Sequence, residues 1–186
     1  EVPEKDGYYY MWEYADLSNI TQNKRVKAYY LPWKTTIASS DDERPLLLAE
    51  GNFLPEARLV INNGINNDSI SEKNKTKIAT PEGFKLKAVY SLNIENAPTN
   101  ANYIYHLYVK GADAGYRIGV INTDSKKYTV SLLESSTDGN YILFNAGADA
   151  QIAVLKKDYV KPAALIFALV LIAAGTAAYI IIKKKA

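Results

Sequence analysis

The chain has 186 residues, with 22 Lys and Arg against 20 Asp and Glu for a net charge of +2, no cysteine, one histidine and one methionine. No cysteine means no blue-copper site and no Cys-x-x-Cys-His haem attachment, and a zinc site would have to be assembled from one imidazole and carboxylates, so we expect no cofactor and no metal. Setting aside Lys183, Lys184 and Lys185 leaves 19 of the 22 basic residues against 20 acidic ones, and such a balance lacks the basic face that nucleic-acid phosphates require.

The chain begins at Glu1 and not at a methionine, from which we expect a removed signal peptide. In YYYMWEY (8–14), Tyr8, Tyr10 and Trp12 fall on one face of a strand, Tyr9 and Met11 on the other. Aromatics on both faces suit a strand packed on its own core and against a second body. Because Tyr and Trp anchor protein interfaces and sugar-stacking surfaces, Tyr8, Tyr10 and Trp12 are the expected interface aromatics. A chain with 15 tyrosines also builds core and rim from them. RVKAYYL (25–31), PLLLAEG (45–51) and ARLVIN (57–62) read as strands, Asn63-Gly64 as a turn, and SSDDER (39–44) and INNDSISEKNKTK (65–77) as exposed loops. Asn-x-Ser/Thr sequons at Asn19, Asn67 and Asn74 mark expected glycosylation sites in an exported domain.

From residue 84 the pattern is regular. Phe84, Leu86, Ala88, Tyr90, Leu92 and Ile94 alternate with mostly polar neighbours, which predicts a strand with one buried face. NYIYHLYVKG (102–111) reads as its neighbour in the sheet. YRIGVIN, KKYTVSLLES, NYILFNAG and AQIAVLKK follow, separated by NTDS, STDG and AGAD turns, and predict a meander of antiparallel strands. Eight to ten strands in this length predict an all-β fold, an antiparallel β-sandwich of immunoglobulin-like or jelly-roll-like type over residues 1–157.

Chemistry is scarce. His106 sits in a Tyr-rich strand, and no Gly-x-Ser-x-Gly elbow accompanies any serine. Asp41, Asp42, Glu43 and Glu134 are carboxylates that a glycosidase pair would need, but a loop run such as DDE ordinarily faces solvent. Asp113, Asp124 and Asp138 fall in predicted turns, where side-chain capping accounts for them without calcium. No catalytic residue is assigned, and the chain is expected not to be an enzyme.

The chain closes on AALIFALVLIAAGTAAYIIIKKKA. Ala163 to Ile182 is a run of 20 residues without a charge. As a helix it spans ~30 Å, the thickness of a bilayer's hydrocarbon core. A stalk at 158–162 and a tail at 183–186 flank this predicted transmembrane α-helix, and Lys183, Lys184 and Lys185 form a membrane border that stays cytoplasmic. Ala164, Ala168, Gly175 and Ala178 lie along one stripe of that helix and let another helix approach closely. The expected location is the cell membrane, single-pass, N-terminal domain outside, in an archaeal or bacterial envelope. Lys183 and Lys184, at the fourth and third positions from the end, resemble a dilysine retrieval signal and make the endoplasmic reticulum membrane the alternative, although so short a tail leaves a coat protein little to grip.

Two functions follow as expectations. The first is a non-catalytic accessory or structural subunit of a larger membrane complex, with membrane protein subunits and the lipid bilayer as partners. The second is a surface-displayed binding or adhesion module that holds a glycan or an envelope lattice through Tyr/Trp faces. An exposed aromatic groove at the end farthest from the membrane favours the second; a pocket joining His106 to a carboxylate would favour an enzyme.

Overall fold

The computed structural model describes residues 2–13, 23, 25–65, 78–98, 101–124 and 127–158. Their regular structure is all strand: β1 (Tyr8–Trp12), β2 (Ala28–Pro32), β3 (Lys34–Ala38), β4 (Leu47–Phe53), β5 (Arg58–Asn63), β6 (Ile78–Ala79), β7 (Phe84–Glu95), β8 (Asn102–Tyr108), β9 (Tyr116–Asp124), β10 (Lys127–Leu132), β11 (Ser135–Asp138), β12 (Tyr141–Gly147) and β13 (Asp149–Lys157). The described residues are all-β, with several antiparallel sheets. β5-β7-β13-β9-β10-β6 form one sheet, β11-β12-β8-β4-β3 a second, and β1-β2 stand apart as a two-stranded ribbon. Every pairing is antiparallel except that of β6 with β10.

The two large sheets share one core, giving a sandwich-like arrangement. Leu47, Ala49, Phe53, Tyr103, Tyr105, Leu107, Ile142 and Phe144 meet Leu59, Leu92, Ile94, Ile118, Ile152 and Val154 of the other sheet. Rings dominate it: Phe53 stacks on Tyr103 at 5.0 Å, and Tyr105 on Phe144 at 5.4 Å. Burial of such side chains contributes about 1.5–3 kcal/mol each, and the sixteen buried residues of this cluster are what hold a cysteine-free domain together. Tyr105 also donates its hydroxyl to the Gly147 carbonyl at 2.8 Å, so its one polar atom is satisfied inside the core.

The six apolar residues of β7 do not form one face. Ala88, Tyr90, Leu92 and Ile94 pack on the core between the sheets, whereas Phe84 and Leu86 pack on a second cluster with Ile65, Ile78, Val89, Ile121, Val130, Ala153 and Leu155. The cause is a bulge. β13 is straight, with Val154 opposite Ala88 and Leu155 opposite Leu86, so Lys87 has no partner and the alternation inverts across it. Period two persists on either side of Lys87, but the face changes.

The second cluster lies on the outer face of the six-stranded sheet, which closes over itself. β5 and β6 are its two edges, yet only residues 80–83 connect β6 to β7, the neighbour of β5. Five steps of extended chain reach at most ~18 Å. In a flat sheet three intervening strands alone would separate the two by ~19 Å, before any displacement along the strands. The sheet therefore coils until Ile78 and Tyr128 at one edge meet Phe84 and Leu86 near the other. Ile65 belongs to this cluster, so the segment read as an exposed loop begins with a buried residue; residues 66–77 lie outside the described residues.

Two further expectations are corrected. β8 is not beside β7: it pairs with β4 and β12 in the other sheet. The last strands are not a meander, because the chain changes sheet between β10 and β11 and again between β12 and β13. KKYTVSLLES contains the first of these crossings. β10 ends at Leu132, Leu133 turns its N–H to the Ile118 carbonyl at 2.9 Å, and β11 starts at Ser135 in the other sheet. β3, β6 and β11, all short, bring the described strands to thirteen.

Candidate functional site

β1 and β2 pair over five residues, with Tyr8 opposite Pro32, Tyr10 opposite Tyr30 and Trp12 opposite Ala28 on one face, and Tyr9 opposite Leu31 and Met11 opposite Tyr29 on the other. Tyr8, Tyr10 and Trp12 share a face, as their spacing in the sequence requires. Both faces keep apolar side chains exposed. Met11 is 52 % exposed, Tyr29 50 %, Tyr10 46 %, and Tyr8, Trp12 and Leu31 are close to 40 %. Scattered exposed apolar residues are ordinary on a protein surface; six on a ten-residue ribbon are not.

The ribbon is anchored at its root. Trp33 donates its backbone N–H to Gly7 at 3.1 Å, its ring lies 4.9 Å from that of Tyr9, and Tyr30 donates its hydroxyl to the Pro3 carbonyl. Lys5 places its ammonium 4.0 Å above the Tyr8 ring, a cation–π contact that straps the N-terminal segment to the strand. Between this root and the body lies a groove of about 650 Å³, floored by aromatic rings of Tyr8, Tyr9, Tyr30 and Trp33 and edged by Asp6 and Asn52.

The ribbon stands at the end of the body opposite the chain's exit. β3 begins at Lys34 opposite Phe53, Phe53 stacks on Tyr103, and Tyr103 lies opposite Ala146, next to the Gly147–Asp149 turn that starts β13. β13 then runs the length of the sheet to Lys157, beside Phe84 and Gly115. Lys157 thus lies at the far end of the sandwich from the ribbon.

Other polar constellations are sparse. His106 lies on the outer face of the five-stranded sheet between Leu48 and Leu143, with its Nε2 3.0 Å from Glu50 Oε1. This joins an imidazole to a carboxylate, but on an open sheet face flanked by leucines and not in a pocket. At the end near Lys157, Asp113 accepts the Gly115 N–H at 2.8 Å and pairs with Lys156 at 3.2 Å. The backbone donor first, then the ammonium, hold this carboxyl below its usual range, and Asp113 in turn raises Lys156. The side-chain cap expected of Asp113 is present; Asp138 closes β11 instead of sitting in a turn. No group of three or more potential metal ligands occurs among the described residues.

Of the residues singled out in the sequence, Tyr8, Tyr10 and Trp12 are brought together. Asn19, Asn67 and Asn74, the helix-packing Ala164, Ala168, Gly175 and Ala178, and Lys183, Lys184 and Lys185 lie outside the described residues. No helix among the described residues is long and apolar enough to cross a membrane. RVKAYYL (25–31) reads as a strand and β2 runs Ala28–Pro32, but the sequence reading does not join it to YYYMWEY, and Tyr29, Tyr30, Leu31 and Trp33 complete the aromatic surface; the signal is a second aromatic-rich run within hairpin distance of the first. No protein-family model, curated protein or solved structure matches this chain.

Proposed function

We propose that the chain is a non-catalytic structural subunit, an exported β-sandwich carried on one C-terminal membrane helix, that docks on a protein partner through the β1–β2 ribbon. One observation carries this reading: the ribbon exposes apolar side chains on both faces. A sugar stacks on one face of an aromatic platform, whereas Met11, Tyr29 and Leu31 on the opposite face are the chemistry of a protein contact. The position of the ribbon, away from Lys157, supports a surface presented outward from the bilayer.

The groove at the ribbon root, an exposed aromatic groove at the end remote from Lys157 as expected of a glycan-binding or adhesion module, supports that second reading, because its volume and its ring-lined floor with a polar edge suit a small saccharide. The native mass of the protein extracted gently from its own membrane separates the two. A defined stoichiometric assembly that Met11→Lys disrupts is the expected result. A lone species with wild-type ribbon overturns the subunit reading and leaves glycan titration of the groove, with Trp33→Ala as the control, as the deciding measurement.

A further inference from the structure

The backbone of β1 carries information that its side chains do not. Gly7 accepts from Trp33 N–H and Glu13 donates to Lys27, so the odd-numbered residues of β1 turn their N–H and C=O groups toward β2. Residues alternate in an antiparallel pair, so Tyr8, Tyr10 and Trp12 turn theirs to the opposite edge. The Tyr8 N–H is taken by the Lys5 carbonyl at 3.1 Å. Among the described residues no strand lies on that edge. Tyr8–Trp12 contains no Lys, no Pro and no bulge, the devices by which natural sheets protect an edge. A two-stranded ribbon with both faces wet is also marginal alone, and a third and fourth strand give it the width a stable sheet needs.

We infer that the occupant of this edge is β1 of a second copy of the chain, paired antiparallel about a two-fold axis through Tyr10. This rests on the reading of the ribbon as a protein contact and names its partner. Self-pairing must match outward-facing residues with outward-facing residues, and the register that overlaps all five positions sets Tyr10 against Tyr10, Tyr8 against Trp12 and Tyr9 against Met11. Tyr10 N–H then bonds the opposite Tyr10 carbonyl, and Trp12 N–H the opposite Tyr8 carbonyl, each occurring twice by symmetry. The Tyr8 N–H, already used by Lys5, is left out without loss. On one face this register places aromatic rings across from aromatic rings; on the other it places Tyr9 across from the Met11 sulfur, both favourable cross-strand pairs. An isologous contact of this kind closes on itself and produces a four-stranded sheet, β2-β1-β1-β2, without growing into a fibre.

The chain has no native cysteine, which makes the register directly testable in the full-length protein in mild detergent. A disulfide requires Cα atoms ~4.4–6.8 Å apart, the range of directly opposed residues in an antiparallel pair. Under mild oxidant Tyr10→Cys should link to its own copy nearly completely, while Tyr29→Cys, exposed on the far strand, should stay monomeric on a denaturing gel. The native protein should have twice the 20.6-kDa chain mass. Tyr10→Pro should return it to one chain mass while β1–β2 pairing persists, because the lost N–H faces away from β2. Failure of Tyr10→Cys to cross-link, or a dimer that survives Tyr10→Pro, overturns the inference. A wild-type monomer bound to a different protein that Met11→Lys releases overturns the self-pairing and leaves the docking reading standing; a monomer with no partner overturns both.

Discussion

Tyr105 and Gly51 show how single residues set the aromatic core. Burial raises the Tyr105 hydroxyl above its ordinary pKa, with the neighbouring Tyr103 and Asp149 adding to the effect, and burial raises Tyr90 and Tyr103 in the same direction. The unfolded chain releases these protons near the ordinary value of 10.0, and the folded protein holds them to higher pH. Their contribution is therefore fully present below pH 10 and declines as pH rises beyond it. Stability against urea should be flat on this account from neutral pH to about pH 10 and fall above that, and Tyr105→Phe should flatten part of the fall while lowering neutral-pH stability by ~1–3 kcal/mol, since the Gly147 carbonyl loses its donor. At Gly51 a Cβ would lie 2.5 Å from Tyr103 Cδ1, and the Tyr103 ring is fixed by its stack on Phe53 and its edge contact with Tyr105. Gly51→Ala should cost ~1–3 kcal/mol in chemical denaturation, more than the small helix-free propensity change alone would give.

The element that most directly decides the packing is β7. Its bulge at Lys87 lets a single strand serve two cores, and the side chain of Lys87 itself is exposed. Lys87→Ala should thus be almost neutral by thermal melt. Deleting Lys87 should also cost only ~1 kcal/mol or less, because it removes the extra residue and leaves Leu86 opposite Leu155 and Ala88 opposite Val154 in a regular ladder, with Phe84 and Leu86 still on the second cluster. The ribbon is the opposite case, an element with little of the body beneath it. Hydrogen exchange should find the β1–β2 amides opening far more readily than those of β7 and β13 in the Tyr10→Pro protein, and slowed in the wild type where a second copy covers the edge.

At the scale of the whole molecule, the two large sheets solve the same problem differently. The six-stranded sheet buries its outer apolar face by coiling over it, while the five-stranded sheet keeps Leu48, Ile104, His106 and Leu143 on an outer face that nothing in the described residues fully covers. The ribbon adds a second exposed apolar surface at the end remote from Lys157. These exposed apolar surfaces are what the proposed contact role would use. The expected readout is colloidal: Met11→Lys should raise the solubility of the detergent-solubilised protein at high concentration without lowering its melting temperature, as the side chain it replaces is half exposed.

Much of this was readable from residue types and their period. All-β character follows from alternation in 84–94 and 116–157, and the shared face of Tyr8, Tyr10 and Trp12 follows from a period of two that every strand must obey. These are local properties, determined by where a Cβ points along one extended segment. What only the tertiary structure decided is which strand lies beside which, where Lys87 inverts the alternation of β7, and that Tyr29, Tyr30 and Trp33 join the ribbon. Each depends on a partner far away in the chain: a bulge exists only relative to the straight strand opposite it, and a crossing between sheets is set by which faces the rest of the sandwich leaves to be buried. Side-chain period travels with the sequence; pairing and coverage belong to the assembled sheets, and the free edge of β1 is visible only once those pairings are known.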